Sequence, residues 1–232
     1  MDGNGRWALQ RGKRRTAGHR EGAKRVREIT IECARLSISQ LTLYALSVEN
    51  YVRRPRSEIR TLMSLLRRYV IDERPTLAEN NIRFTLVGRR AQLPDRVMAE
   101  VEETERLTAG NTGMVLCIAV NYGGRAEIAD AARAIAQRVH SGALNADDVN
   151  EQTLADHLYT AGMPDVDLMI RTAGEMRISN FLLWQAWYGE LYVTDVLWPN
   201  FDAVELGRAI DDYARRERKF GDVRPSANVQ GL

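Results

Sequence analysis

Apolar positions recur along the chain at two spacings, and stretches of the two kinds alternate. Val26, Ile29, Cys33 and Leu36 follow Gly18 at helical spacing and predict an amphipathic helix. Leu41 to Leu46 reads as a short buried strand. Beyond Pro55, Ser57 is placed to cap a helix with the apolar face Ile59, Leu62, Met63, Leu66 and Val70, which Pro75 ends or kinks. Ile82, Phe84 and Leu86 alternate with polar neighbours and stop at Gly88, as a strand would. Val97, Val101 and Thr104 continue as a helix closed by Gly110. Met114 to Val120 is apolar throughout and predicts a strand covered on both faces, as in a parallel sheet. Ile128, Ala132, Ile135 and Val139 form the next helical stripe, and Asp167 to Ala173 the next strand. Asp202-Ala203-Val204-Glu205 resembles a capping box opening a last helix. Strand followed by helix, repeated, predicts a single α/β domain with a mainly parallel central sheet flanked by helices. The polar stretch from Ser47 to Ser57, with Arg53, Arg54 and Arg56 around Pro55, reads as a mobile loop, and residues 222–232 as a flexible tail.

Composition narrows the class. A chain of 232 residues, 44% of them hydrophobic, is long enough to bury a core without disulfides or a structural metal. Cys33 and Cys117 have no C-x-x-C spacing, which argues against a zinc site or disulfide framework and suits a reducing compartment. No apolar run reaches the roughly 18 residues of a membrane span; the stretch from Phe181 to Trp198 is interrupted by Gln185, Glu190 and Asp195. Met1 to Trp7 lacks the apolar core of a signal peptide, so a cytoplasmic location is expected. Net charge is only +2, yet residues 1–27 carry nine Lys or Arg against Asp2 and Glu21. Such a block attracts phosphate, whether in nucleic acid, anionic lipid or a small diphosphate, or else is a solvated helix face.

Absent motifs exclude several chemistries. No G-x-G-x-x-G follows a strand, there is no G-x-x-x-x-G-K-[ST], no G-x-S-x-G elbow occurs, and His19, His140 and His157 form no metal pair at helical spacing. Two candidate anion sites remain. Asp2-Gly3-Asn4-Gly5-Arg6 sets glycines beside a carboxylate ahead of a helix expected to start at Gly18. Backbone N–H groups there can close on an anion, Asp2 can hold magnesium against the same phosphate oxygens, and Arg6, Arg15 and His19 add cationic donors. Taken alone, this stretch reads equally as a structural hairpin. Arg171, Arg177 and Ser179 follow a buried strand and suit forked hydrogen bonds to a second phosphate. Ligands of open α/β sheets bind at the carboxyl ends of strands, so the two sets are expected to share one crevice with two phosphorylated substrates.

Several longer motifs carry a resemblance: Asp2-Gly3-Asn4-Gly5-Arg6-Trp7, Gly18-His19 with Gly22, Leu41 to Ala45 through Ser47-Val48-Glu49-Asn50, Asn121 to Arg125, Ile170 to Gln185, and Glu190 through Pro199. In order and spacing the chain resembles the cis-prenyltransferase family over residues 1–221. The resemblance implies condensation of isopentenyl diphosphate onto an allylic diphosphate such as farnesyl diphosphate, giving a cis-polyprenyl diphosphate of the undecaprenyl type, a carrier lipid for cell-wall synthesis. It also implies Mg2+, a homodimer, and an apolar tunnel between sheet and helices. No nucleic-acid partner is expected, and peripheral membrane contact would serve product release.

The roles the resemblance implies follow the motifs. Asp2 would coordinate magnesium and assist departure of the allylic diphosphate. Gly3, Asn4, Gly5, Arg6, Arg15 and His19 would hold that diphosphate, with Trp7 beside it. Asn50 would position or relay the proton lost from the isopentenyl unit, since an amide is a poor base. Ser47, Val48, Glu49, Tyr51 and a loop arginine would close over the substrates. Spacing from Asn50 favours Arg53 for that arginine, while adjacency to Pro55 favours Arg54. Arg171, Arg177, Ile178 and Ser179 would bind isopentenyl diphosphate. Glu190 would be a metal-site residue, or a buried carboxylate at the dimer interface. Leu43, Ala45, Leu86, Leu116 and Ile118 read as core, with alternate members facing the tunnel.

Departures from the family pattern are visible as well. The apolar strand that usually leads into the first motif is missing or truncated here. Tyr51 stands where a Trp is usual, Ala173 where a Gly is usual, and Met176 where bacterial members often have a metal-site His. Lys219-Phe220-Gly221 resembles the family's Arg-x-Gly tail. The rival classes are a shorter-chain cis-prenyl synthase, a non-catalytic prenyltransferase-like subunit and a nucleic-acid-binding module.

Overall fold

A computed structural model describes residues 1–217; the expected tail over 222–232 and the Lys219-Phe220-Gly221 motif lie outside them. The helices are α1 (Asn4–Leu9), α2 (Arg15–Arg35), α3 (Val48–Arg53), α4 (Arg56–Asp72), α5 (Arg74–Glu79), α6 (Asp95–Thr108), α7 (Gly124–His140), α8 (Glu151–Ala155) and α9 (Ala203–Ala214). The strands are β1 (Gln40–Ser47), β2 (Arg83–Val87), β3 (Val115–Tyr122), β4 (Leu168–Arg171) and β5 (Glu190–Val193).

Every strand pairing among the described residues is parallel, as the alternation of strand and helix predicts. β3 lies between β1 and β2, with Gln40 and Arg83 both opposite Val115, while β4 and β5 form a separate pair. The continuous apolar run of β3 has a direct cause. Leu116, Ile118 and Val120 point into a core with Val26, Ile29, Met63 and Val97 of the helices. Cys117, Ala119 and Tyr122 point to the other face, against Met169 and Leu182. A strand buried on both faces has no use for polar alternation.

Several boundaries differ from the sequence reading. α2 opens at Arg15, three residues before Gly18, and Leu36 is its exposed C-cap. Ser57 is inside α4, whose N-cap is Pro55; the helix stops at Asp72 and Pro75 opens α5. The loop expected over Ser47 to Ser57 is mostly helical, because the Ser47 hydroxyl accepts from the Asn50 N–H and caps α3. The buried stripe of α7 is Gly124, Glu127, Ala131 and Ile135, leaving Ala132 exposed. Asp202 caps α9 by accepting from the N–H groups of Val204 and Glu205, but Glu205 turns to Arg208 instead of completing the box. Among the described residues no helix is long and apolar enough to cross a membrane.

Candidate active site

The stretch from Asp2 to Arg6 is neither a hairpin nor a glycine turn; from Asn4 it is the first turn of α1. Asp2 is pinned in front of that turn. Its N–H donates to Thr172 Oγ1 at 2.9 Å, the Thr172 hydroxyl donates back to Asp2 O at 3.0 Å, and the Trp198 N–H donates to the same oxygen at 2.9 Å. Gly3 has φ 99°, and a Cβ there would lie 2.8 Å from the Leu197 side chain. Gly18 and Gly22 serve packing: a Cβ on Gly18 would lie 1.8 Å from Asn4 O, and one on Gly22 2.2 Å from Asn4 Oδ1. They let α1 cross α2 at backbone contact. The first amide N–H groups of a helix have no intrahelical acceptor, and Gly3, Asn4 and Gly5 border the cavity described below.

The second anion set comes to the same place. Arg171, the last residue of β4, donates from Nε to Asp2 Oδ2 at 3.1 Å, pairs with it from Nη2 at 3.0 Å, and donates from Nη1 to Ser179 Oγ at 2.9 Å. Arg6 donates to Ala173 O at 2.8 Å and to Glu175 Oε1 at 3.2 Å, and Arg177 pairs with the other oxygen of Glu175. Groups about 170 positions apart in the chain thus share a single charged cluster. Ala173 and Gly174 turn the chain here at φ 71° each; at Ala173 the left-handed conformation carries a steric cost that glycine would escape.

Below this cluster lies a cavity of about 1170 Å³. Asp2, Gly3, Asn4, Gly5, Arg15, His19, Ser47, Glu49, Asn50, Arg171, Arg177, Ile178 and Ser179 all border it. Its interior is apolar, walled by Val26, Ile29 and Cys33 of α2, Leu62, Met63 and Leu66 of α4, and Ile118 and Val120 of β3. It therefore lies between sheet and helices. Leu43, Ala45 and Ile118 line it while Leu86 and Leu116 do not; Leu116 shares a face of β3 with Ile118, so position along the strand, not alternation, separates them. Every residue of β1 and of β4 borders the cavity. Because side chains alternate between faces, a space touching all of them opens along the strand edges as well as on one face.

Burial, then Arg54, lowers the His19 pKa; Arg15 adds to this and Glu58, whose Oε1 is 3.8 Å from Nε2, opposes it. His19 Nε2 is buried without a hydrogen-bond partner. Burial pushes the Glu49 carboxyl upward, but its own N–H, the Asn180 amide, the Ser47 hydroxyl and Arg53 outweigh that and hold it below the usual range.

Other predicted residues lie elsewhere. Of the two loop arginines, Arg54 borders the cavity and Arg53 does not. Trp7 packs away from the cavity, donating to Asn200 Oδ1 at 2.8 Å under the guanidinium of Arg11. Tyr51 donates to Gln92 O at 2.7 Å, and neither it nor Val48 borders the cavity. Arg6 reaches the cluster from the rim. Glu190 begins β5, pairs with Arg216 at 2.7 Å and does not line the cavity with Asp2. Met176 is 81% exposed.

For a metal, Asp2 is the one predicted ligand at the mouth, its carboxylate 47% exposed. Among the described residues no cluster of three acidic, His or Cys ligands exists. That donor set fits magnesium, which takes one or two carboxylates and completes its shell with phosphate oxygens and water.

Two features escape the sequence reading. Glu127 of α7 is fully buried and accepts from the hydroxyls of Tyr122 and Thr160, the Thr160 N–H and the Gln185 amide. Its position on the Gly124–Ala131–Ile135 stripe was the available signal. Four of the nine basic residues in 1–27 have acidic partners: Arg6 pairs with Glu175, Lys24 with Glu21, Arg25 with Glu28 and Arg27 with Glu73.

Comparison with known proteins agrees with this geometry. The family model described as "Putative undecaprenyl diphosphate synthase" matches residues 1–221. An isoprenyl transferase of Geobacter sulfurreducens is 50% identical over 230 residues, covering 99% of this chain and 93% of its own. A farnesyl-diphosphate-specific ditrans,polycis-undecaprenyl-diphosphate synthase of Vibrio parahaemolyticus is 44% identical, covering 95% and 88%. The crystal structure of lavandulyl diphosphate synthase from Lavandula x intermedia, in complex with dimethylallyl diphosphate, superposes with a TM-score of 0.93 at 37% identity, covering 96% of this chain and 95% of that one. Two anion cradles meeting over an apolar cavity, on a sequence this close to those relatives, mean that the chain belongs to the undecaprenyl diphosphate synthase family of cis-prenyltransferases.

Proposed function

We propose that the protein condenses isopentenyl diphosphate onto an allylic diphosphate, with farnesyl diphosphate as primer, and extends it to an undecaprenyl-type cis-polyprenyl diphosphate. The observation that carries this reading is the contact of Asp2 and Arg171 at the mouth of the cavity. The N-terminal amides of α1, with Arg6, Arg15 and His19, hold the allylic diphosphate. Arg171, Arg177 and Ser179 hold isopentenyl diphosphate. The allylic C–O bond breaks, the isopentenyl double bond supplies the electron pair of the new C–C bond, and a proton leaves. Asn50 orients that proton toward an oxygen of the departing pyrophosphate. Apolar walls keep water from the allylic cation and take up the chain; each buried CH₂ contributes about 0.8 kcal/mol. Magnesium, bound at Asp2, supplies Lewis-acid stabilisation of the charge on the leaving diphosphate.

The same reading covers the assembly. The functional domain is residues 1–221. A homodimer is supported by the exposed Leu183, Trp187 and Tyr188. The protein works in the cytoplasm with peripheral membrane contact for product release, and without nucleic acid.

The test is incubation with farnesyl diphosphate, labelled isopentenyl diphosphate and magnesium, followed by chromatography of extracted lipids. Labelled polyprenyl product that disappears with Asp2→Asn, or with chelator, is expected. The reading fails if the chain makes no labelled polyprenyl product under these conditions.

A further inference from the structure

We propose that Asn180 is a positioning residue that fastens the turn carrying Arg177 and Ser179 to the helix carrying Asn50, so that the isopentenyl diphosphate cradle and the proton-handling side chain keep one spacing. This rests on the functional reading above.

Three bonds converge on this residue. Asn180 Nδ2 donates to Glu49 Oε1 at 2.7 Å, beside Asn50 in α3. Its Oδ1 accepts from the Arg125 N–H at 2.8 Å, and its backbone oxygen accepts from the Gly124 N–H at 2.7 Å. Those two amides open α7, whose N-cap Gly123 offers no side chain, so Asn180 caps the helix from a distant part of the chain. α7 in turn continues directly from β3 of the central sheet. One side chain therefore ties the sheet framework, α3 and the arginine turn together.

Backbone geometry shows what holding this turn requires. Ser179, Asn180 and Leu182 have φ of 52°, 64° and 46°, a left-handed conformation that asparagine tolerates better than most residues. A turn with three such residues persists only when its surroundings determine it. Gly123 is what permits the approach, because a Cβ there would lie 2.6 Å from Asn180 Nδ2. Phe181, next along, stacks on Tyr44 of β1 with ring centroids 4.4 Å apart, a second tie to the strand that leads into α3. Arg6, Arg15 and His19 of the allylic cradle belong to α1 and α2 and have no bond to this turn through Asn180.

The test compares wild type, Asn180→Gly, Asn180→Asp and the double variant Glu49→Gln/Asn180→Asp. Glycine keeps the positive φ and the backbone bond to Gly124, so it removes the side chain alone. Aspartate keeps the acceptor for Arg125 but faces Glu49 with like charge; the double variant restores an amide-to-carboxylate bond with its direction reversed. Initial rates give the KM for each substrate, and calorimetry gives isopentenyl diphosphate binding without turnover. Loss of a charge-assisted hydrogen bond predicts about a tenfold rise in KM for isopentenyl diphosphate in both single variants. The KM for the allylic substrate should be unchanged, and the double variant should recover. Equal rises in both KM values, no rise, or no recovery overturns the proposal. A wild type that binds isopentenyl diphosphate but makes no product refutes the functional reading; Asn180→Gly with unchanged binding refutes the positioning role on its own.

Discussion

Replacing Gly18 with alanine tests whether this glycine of α2 is there for the contact between α1 and α2. A methyl on Gly18 would sit 1.8 Å from Asn4 O, about 1.2 Å inside the 3.0 Å that real Cβ contacts respect. The obstacle is backbone on both sides, so α1 itself must move. Alanine recovers about 1 kcal/mol of helix propensity over glycine. Overpacking costs about 1–3 kcal/mol and more where no side chain can rotate away. A net loss of about 2 kcal/mol corresponds to a Tm lower by about 4–8 °C for a chain of this size. Moving α1 also loosens the 2.9 and 3.0 Å bonds that pin Asp2 to Thr172. Misplacement by about 1 Å costs on the order of 100-fold in rate. Thermal unfolding and kcat/KM for both substrates are the assays. An unchanged or raised Tm together with full activity would refute the packing argument; an unchanged Tm with lost affinity would point to a ligand role for Gly18 instead.

Further outcomes follow from the mouth and the tunnel. Glu175 bridges Arg6 and Arg177, so Glu175→Gln should loosen both and tighten pyrophosphate binding. These partly exposed pairs are each worth about 0.2–1 kcal/mol, which sets a gain of roughly two- to thirtyfold by calorimetry; weaker binding would show that Glu175 holds the arginines in place instead. His19, with its pKa held below 6.5 mainly by burial, stays neutral at pH 7, and the folded chain resists the proton that the unfolded chain accepts below that value. Stability should therefore fall as pH drops through 6.5, and a diphosphate bound beside His19 should favour its protonated form. Pyrophosphate binding measured near pH 6 in two buffers should show more proton uptake for wild type than for His19→Gln, and equal uptake would sink this. Cys33 is 1% exposed in the tunnel wall, its thiol pushed up to about 12 by burial, and it lies roughly 21 Å along α2 from His19. Cys33→Phe should shorten the extracted lipid product; a product of unchanged length would place the growing chain elsewhere.

Local pattern was enough for most elements. Ile82, Phe84 and Leu86 stop where β2 stops, and the unbroken apolar run from Met114 correctly implied a strand covered on both faces. It was less reliable where a tertiary contact supplies the reason for a residue. Gly18 reads as the start of a helix until α1 is seen lying across it and Gly22 inside α2, and Glu127 interrupts an apolar stripe because Tyr122, Thr160 and Gln185 wait for it inside the core. Ser47 to Ser57 read as a loop because its polarity hid a capped helix whose partners, Asn180 among them, come from the far end of the chain. Arg53 and Arg54 are neighbours with identical chemistry, and only the orientation of α3 puts one of them at the cavity.

What the amino-acid order determined by itself was the alternation of elements, the parallel sheet and the presence of two anion-binding sets, since each depends on residues within a few positions of one another. Whether those sets meet was decided by tertiary structure alone. Thr172 and Trp198 carry Asp2 to the end of β4, and Arg171 reaches it there. A contact between residues 169 positions apart depends on how β4, α1 and α2 pack, which no local spacing encodes.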